Sequence, residues 1–211
     1  MLVDLTLPLD SKVTQVPGHP RFNATPISTL REDGRANTLV TFSIHTATHA
    51  DAPSHFVLGG VPINSVPLNR FYGRALHVDL RPVAARHVIT IDELRRAGCP
   101  EAAALRDRIV VLHTDWVTEH AYREDLYSAS PYLSQEAANW LADASIRLLG
   151  LDFATDGNPP YPNHRIFLER GIPIIENLIH LDRVPKEFTL MAFPIAFRDE
   201  NGASVRAVAE F

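Results

Sequence analysis

The chain has 211 residues, of which 45% are hydrophobic and 21% charged, a composition typical of a globular protein. This length suits one domain with a substantial core, and we expect a single domain over residues 1–211. The formal net charge of −5 argues against broad nucleic-acid binding and against docking on an anionic membrane surface.

The N-terminal stretch predicts neither export nor membrane anchoring. It has no basic region and no long apolar run, and no later segment approaches the roughly 20 apolar residues of a membrane span. The only cysteine, Cys99, excludes an internal disulfide framework and suits a reducing cytosol. We therefore expect a cytoplasmic protein in which Cys99 is an inert loop thiol.

The first part of the chain predicts two strands with a shaped loop between them. Residues 3–7 alternate as a short strand, and residues 11–26 contain Pro17, Gly18 and two further prolines, which predicts a loop. Residues 38–44 alternate between apolar and polar side chains, as a strand with one buried face does. This pattern predicts that His45 is delivered by the polar face at the end of a strand.

Later segments carry both strand and helix signals. Thr90 and Glu93 form a capping box that starts a helix ended by Gly98, and Ser134 caps a second helix over residues 135–142. A loop over residues 157–163 precedes a short helical turn at 166–170. The predicted strands are residues 75–79, 109–112, 147–151, 172–175, 189–194 and 205–211. Strands outnumber helices and their spacing is too irregular for a βαβ repeat, so we predict an α+β fold with a mixed sheet or barrel-like core.

A dense cluster of metal-binding side chains follows the strand at 38–44. His45, His49, Asp51 and His55 lie within eleven residues, and neutral imidazole and carboxylate are ligands for zinc, manganese, iron or nickel. Pro53 argues against a regular helix here, so we expect a turn on which the first three converge. A catalytic metal keeps a position open for water, which it acidifies, and a further carboxylate would allow two metals to share ligands.

The spacing leaves the role of His55 open. It is either a fourth ligand or a proton carrier. An unperturbed imidazole pKa of about 6.5 suits general acid–base catalysis. The isolated histidines, such as His77 and His113, are expected to be surface or satisfied core residues. Asp152 and Asp156, at the end of a predicted strand, are expected to stabilise the loop or to orient ligands.

The segment from Ser43 to Phe56 resembles the signature of the cyclase family of metal-dependent hydrolases, H-x-G-T-H-x-D-x-P-x-H. That family includes bacterial kynurenine formamidase and isatin hydrolase. The resemblance extends over nearly the whole chain, through the segments 3–6, 17–18, 150–152, 171–178 and 204–208 together with His164. It implies a swivelling β/β/α-type fold with few helices.

The resemblance also implies a role for each site residue. His45 and His49 would hold a first metal, Asp51 and Glu176 would bridge two metals, and His164 would bind the second. His55 would be the catalytic acid–base. The cofactor would be Zn²⁺ or Mn²⁺, two ions in each subunit, and the subunits would form a homodimer or homotetramer.

Three positions depart from the family pattern. Ala47 replaces the usual glycine, which matters if that backbone needs a positive φ. Val16 stands where kynurenine formamidases carry a tryptophan that meets the aromatic substrate, and His19 stands where an aspartate is frequent. We therefore assign Val16 to substrate binding and expect the metal chemistry to transfer better than the substrate.

The expected reaction is hydrolysis of an amide bond in a small molecule. N-formylkynurenine, cleaved to kynurenine and formate in tryptophan breakdown, is the leading substrate, and a cyclic amide such as isatin is the alternative. Two other classes compete. His49, Asp51 and His164 imitate the two-histidine, one-carboxylate triad of non-haem iron oxygenases, although this leaves His45, His55 and Glu176 unexplained. A non-catalytic metal-binding protein is the remaining alternative.

Overall fold

A computed structural model describes residues 1–211, and nine of its strands form one mixed sheet. Its strands are β1 (Leu2–Asp4), β2 (Asn23–Ser28), β3 (Asn37–Thr41), β4 (His49–Asp51), β5 (Tyr72–Asp79), β6 (Val88–Ile89), β7 (Ile109–His113), β8 (Tyr132–Leu133), β9 (Leu148–Leu151), β10 (Ile174–Glu176), β11 (Glu187–Met191), β12 (Gly202–Ser204) and β13 (Val208–Glu210). Its α-helices are α1 (Leu30–Asp33), α2 (Ile91–Arg96), α3 (Ala102–Leu105), α4 (Trp116–His120), α5 (Gln135–Asp143) and α6 (Pro162–Glu169).

The large sheet runs β1-β13-β11-β5-β7-β9-β10-β4-β12. Its centre, β5-β7-β9-β10, is parallel, and the strands on either side of this centre pair antiparallel. The predicted α+β class with a mixed sheet and few helices is confirmed. Parallel strands buried on both faces read as continuous apolar runs, and Ile109 to Leu112 is such a run.

Each face of the sheet covers its own apolar core. Along β7, Val110 and Leu112 point into one core, whereas Ile109 and Val111 point into the other. The first core is covered by α2, α4, α5 and α6. The second is enclosed by the sheet and by the chain after β1, where the carbonyl of Leu5 accepts a hydrogen bond from a residue that follows β10.

The helix caps follow the sequence. Thr90 and Glu93 make the predicted capping box on α2, and Ser134 accepts the Ala137 N–H at the start of α5. Cys99 follows α2 in a loop and is buried, and burial raises the pKa of its thiol to about 11, as an inert thiol requires. No helix combines the length and apolar character needed to cross a bilayer.

Two early predictions are wrong in their boundaries. The strand expected at 38–44 ends at Thr41, and it pairs with β2, which begins inside the segment expected to be a loop. Both strands form a separate hairpin, and every side chain of β3 is exposed. The alternating pattern implied one buried face, but this hairpin extends away from both cores. His45 consequently lies in the turn after the hairpin and not at the end of a strand.

Two later predictions also need correction. The helix expected at 166–170 is α6, which begins four residues earlier because Pro162 suits the first helical position. This start places His164 in the first turn of a helix and not in a loop. The strand expected at 172–175 is β10, which reaches one residue further and includes Glu176.

Candidate metal centre and active site

Strand β4 delivers two of the predicted donors to the centre of the site. His49 and Asp51 lie two residues apart in this strand, so their side chains point to the same face of the sheet. In the pairing register, His49 lies opposite Glu176 of β10 and opposite Ser204 of β12. The turn expected for these residues is therefore wrong, because strands on both sides satisfy the backbone of β4.

The turn before β4 has a left-handed residue at the position where the family has glycine. Ala47 has φ +54° and is buried. Its carbonyl oxygen accepts hydrogen bonds from His49 Nδ1 at 2.9 Å and from Asn177 Nδ2 at 2.9 Å. This turn fixes the His49 ring, so that Nε2 points into the site.

Glu176 is held by the loop that follows β9. Its Oε1 accepts hydrogen bonds from the Thr155 hydroxyl at 2.5 Å and from the Thr155 backbone N–H at 3.0 Å. Its Oε2 lies 3.6 Å from His49 Nε2. One carboxylate oxygen is therefore anchored, and the other faces a histidine nitrogen.

His164 is oriented by Asp156. The Asp156 carboxylate accepts the backbone N–H groups of Asn163 and His164, and its Oδ2 lies 2.6 Å from His164 Nδ1. The other ring nitrogen, Nε2, lies 3.6 Å from Asp51 Oδ2 and 3.6 Å from Glu176 Oε1. Asp156 thus both caps the start of α6 and directs His164 towards the two carboxylates.

His45 completes the cluster from the opposite side. Its Nδ1 lies 2.8 Å from Asp51 Oδ1, and its Nε2 lies 2.6 Å from Asn201 Oδ1. The His55 ring stacks on the His45 ring with centroids 3.9 Å apart. The five predicted metal ligands and the predicted acid–base His55 therefore lie together.

The donor set fits a cation. Donor atoms of His45, Asp51 and His55 lie within 4.8 Å of one another, and so do those of His49, Asp51 and Glu176, so Asp51 belongs to both groups. Asp51 Oδ2 is buried without a hydrogen-bond partner, which is costly for a carboxylate oxygen unless a positive charge accompanies it. Imidazole nitrogens and carboxylate oxygens suit zinc and manganese alike.

The electrostatics of the cluster also favour positive charge. Burial opposes ionisation of Asp51, but His49 and His45 outweigh it and hold the pKa of this carboxyl well below its usual range. Burial lowers the pKa of His49, yet Asp51 and Glu176 raise it to about 9 overall. The pKa of His164 is likewise raised, because Asp156 and the two central carboxylates outweigh its burial. Both shifts favour positive charge beside the buried carboxylates.

His55 differs from the other three histidines of the cluster. Both its ring nitrogens are free of hydrogen bonds to the chain, whereas one nitrogen is held in His49 and in His164 and both are held in His45. Burial, opposed only in part by Asp51, lowers the pKa of His55 to about 4. A neutral ring with a free nitrogen can accept a proton and pass it on.

A cavity of about 370 Å³ opens over these residues. Val16 lines it and stands in a turn in which the His19 N–H donates to the Val16 carbonyl and Gly18 has φ +89°. Pro17 before such a glycine is the pattern of a type II turn, which presents Val16 and His19 together. Aromatic walls are added by Phe56, Tyr127 and Tyr161.

Sequence reasoning missed several of these residues. Thr155 and Tyr127 carry no signal, because a single threonine or tyrosine outside a motif is common in any chain. Phe56 directly follows the metal-binding motif and could have been included as its neighbour. Asn201 and Gly202 read as an ordinary turn, although they pair with β4.

A second cluster of donors has a structural explanation. His113, Asp115 and Asp152 bring ligand atoms within 4.8 Å at the ends of β7 and β9. The Asp152 carboxylate, however, accepts the backbone N–H groups of Thr114 and Asp115 and the Thr114 hydroxyl. This matches the loop-stabilising role expected for Asp152.

Comparisons of sequence and structure agree with this geometry. The sequence model of the Cyclase family, described as "Putative cyclase", matches residues 3–156. A kynurenine formamidase of Bacillus cytotoxicus is 29% identical over 212 residues, which covers 98% of this chain and 95% of the relative.

Solved structures share the whole fold. Isatin hydrolase A from Labrenzia aggregata superposes with a TM-score of 0.83 at 26% identity, covering 99% of this chain and 93% of that chain. A predicted metal-dependent hydrolase from Bacillus stearothermophilus gives 0.81 at 25% identity, covering 99% and 97%. The relatives thus include enzymes named for hydrolysis of a formamide and of a cyclic amide.

Proposed function

This chain belongs to the Cyclase family, and from that premise we propose that it is a metal-dependent hydrolase that cleaves a non-peptide carbon–nitrogen bond in a small amide. The observation that carries the proposal is the pair of donor groups that share Asp51, one of which includes His55, whose ring stacks on His45 and has no hydrogen bond to the chain. We propose N-formylkynurenine as the substrate, with kynurenine and formate as products.

Five residues would hold the cofactor. We propose that His45 and His49 would hold one ion and His164 a second, with Asp51 and Glu176 as the shared carboxylate ligands. We propose Zn²⁺ or Mn²⁺, two ions in each chain. A divalent ion bound there would polarise the amide carbonyl and acidify a water molecule.

His55 would move the proton that the reaction requires. Hydrolysis adds a hydroxyl group to the carbonyl carbon, breaks the carbon–nitrogen bond and leaves a proton on the departing nitrogen. A neutral His55 can accept a proton from the attacking water and return it to that nitrogen. Its lowered pKa, about 4, keeps the ring neutral at neutral pH.

The walls of the cavity would select the substrate. Phe56, Tyr127 and Tyr161 offer aromatic surface for an aryl amide, and Val16 faces the same space. Val16 offers less surface for ring stacking than a tryptophan would. This difference supports a second candidate, a cyclic amide such as isatin, whose compact fused ring needs less contact at that wall.

The wider setting is part of the same proposal. We propose one catalytic domain over residues 1–211, located in the cytoplasm, acting in tryptophan breakdown and assembled as a homodimer or homotetramer. The near full-length match to a kynurenine formamidase supports the domain and the pathway.

Reconstitution with metal tests this function. The protein is stripped with a chelator, reloaded with Zn²⁺ or Mn²⁺, and assayed on N-formylkynurenine and on isatin, with bound metal measured in parallel. We expect activity on N-formylkynurenine only after reloading. Activity on isatin alone would keep the mechanism and change the substrate, whereas two bound metals without hydrolysis of either compound would contradict the proposed reaction.

A further inference from the structure

Among the proposed ligands, only His45 has its ring held by a residue next to β12, the strand at one edge of the sheet. Its Nε2 lies 2.6 Å from the side-chain oxygen Oδ1 of Asn201, at the start of β12. An amide oxygen only accepts hydrogen bonds, so the nitrogen that donates to it carries the hydrogen. We propose that Asn201 is a positioning residue that makes His45 bind metal through Nδ1.

The His45 ring is buried and closely packed. A methyl group built on Gly202 would approach His45 Cε1 to 2.8 Å and the Ala50 carbonyl oxygen to 2.8 Å. The stacked ring of His55 lies 3.9 Å away between centroids. The backbone of Asn201 is itself fixed, because its carbonyl accepts the Ala52 N–H at 3.0 Å.

The hydrogen on Nε2 has a consequence at the other nitrogen. In a neutral imidazole the second nitrogen carries a lone pair and no hydrogen. Here Nδ1 lies 2.8 Å from Asp51 Oδ1, so two electron-rich atoms face each other in a buried site. Such a contact is stable only when a proton or a metal ion lies beside both atoms.

The other two proposed ligand histidines, His49 and His164, are held through Nδ1 and not through Nε2. In each of them, Nδ1 is bonded to an oxygen, and Nε2 faces Asp51 and Glu176. His45 would therefore differ from both in the nitrogen that it presents. A partner that fixes the remaining nitrogen of a ligand raises metal affinity, by about 10- to 100-fold in measured cases.

Three variants separate this role from general support of the loop. Asn201→Leu keeps the size of the side chain and removes the acceptor, whereas Asn201→Asp keeps an acceptor at the same position. Asn64 supports the same loop, because its Oδ1 accepts the Asp199 N–H at 2.9 Å without touching His45. Asn64→Ala is therefore the matched control.

Two measurements on these proteins decide the proposal, which rests on the proposed metal centre. Zn²⁺ affinity is measured by competition with a chelator, and the Zn²⁺-loaded wild type is examined by ¹⁵N NMR of its histidine rings. We expect about 10- to 100-fold weaker binding in Asn201→Leu, with wild-type affinity in Asn201→Asp and Asn64→Ala. In the wild type we expect the hydrogen of His45 on Nε2 and the metal on Nδ1.

Opposite outcomes overturn the proposal at different levels. Undiminished affinity in folded Asn201→Leu, loss of affinity in Asn201→Asp, or a hydrogen found on His45 Nδ1 would each reject the role of Asn201. If Asn201→Leu does not fold, Asn201→Asp and the NMR assignment still decide. A wild-type protein that binds no Zn²⁺ or Mn²⁺ would reject the proposed function itself.

Discussion

Ala47 adopts a backbone conformation that glycine enters more easily. Its φ of +54° lies in the left-handed region, which costs an L-residue roughly 1–2 kcal/mol. The conformation is retained because the Ala47 carbonyl holds both His49 and Asn177. Strain at this position therefore accompanies the orientation of a proposed ligand.

Replacing Ala47 by glycine tests this strain. Ala47→Gly loses one buried methyl group but relieves the left-handed conformation, whereas Ala50→Gly, in the neighbouring strand β4, loses a buried methyl group without relief. We expect the free energy of unfolding to fall less at Ala47 than at Ala50, by about 1 kcal/mol. Urea denaturation of both variants measures the difference, and equal losses would contradict the strain.

His55 is expected to be needed for turnover and not for metal binding. Because its ring nitrogens are unrestrained, His55→Ala should lower kcat by about 10²- to 10⁴-fold and leave the metal content unchanged. His87, which bonds Glu93 beside helix α2, supplies the control variant His87→Ala, which should keep both properties. A loss of metal in His55→Ala alone would make His55 a ligand.

The donors of this site could be predicted from the sequence, but the groups that hold them could not. The predicted residues, from His45 to Glu176, could be identified from their chemical types and from the motif. The structure brings them together. Their holders include the Ala47 carbonyl, the Thr155 hydroxyl and Asn201, whose hydrogen bonds depend on backbone direction and on strand pairing. Among the groups that hold the donors, only Asp156 was expected to orient a ligand or to stabilise a loop.

The turn from Val16 to His19 forms one wall of the cavity. Pro17 and Gly18 fix its backbone, so the side chain at position 16 is presented to the cavity whatever its identity. A larger side chain there would narrow the space above His19 and His45. A substitution at position 16 should therefore change the substrate preference without moving the proposed metal ligands.

Introducing tryptophan at position 16 tests the role of this turn. Val16→Trp should lower KM for N-formylkynurenine by about 2- to 10-fold, since an aromatic pair contributes about 0.5–1.5 kcal/mol. Lys12→Trp, on the exposed part of the same loop, adds a ring outside the cavity and should leave KM unchanged. An equal change in both variants would assign the effect to general hydrophobicity.

Helix caps could be predicted, whereas the exposed hairpin and the short strand β4 could not. Thr90 and Ser134 signal their helices through local hydrogen bonds that the sequence specifies directly. The alternation in β3 implied a buried face that its hairpin does not have. β4 contains two ionisable side chains in three residues, and only pairing with β10 and β12 makes it a strand.

The parallel centre of the sheet gathers polar residues at the carboxyl ends of its strands. Asp79, His113, Asp152 and Glu176 follow or end the strands β5, β7, β9 and β10. Ligand sites in open sheets lie at the carboxyl ends of parallel strands, and the cavity lies beyond β9 and β10. The end at β5 and β7 is filled instead by a network around His77 and His113.

That network should make the free energy of unfolding depend on pH in the acidic range. Burial and the neighbouring His113 lower the pKa of His77 to about 4, below the ordinary value of about 6.5 expected in the unfolded chain. The unfolded chain therefore binds the proton first, so the contribution of His77 to stability should be full above about pH 6.5 and fall as the pH drops towards about 4.

Urea midpoints between pH 4 and 7, measured on metal-free protein, test this dependence. His77→Asn should flatten the acid slope, whereas His180→Asn, whose ring bonds the Asp4 carbonyl near the surface, should keep it. An unchanged slope in His77→Asn would show that the proton uptake occurs elsewhere.

The placement of β4 between two partner strands also sets the order in which the molecule opens. The amides of His49 to Asp51 are paired in a buried ladder, whereas the hairpin of β2 and β3 has only its own two strands for support. Amide hydrogen exchange should therefore be slow across β4 and fast across the hairpin. The hairpin can therefore fray and re-form while His49 and Asp51 stay in register with β10.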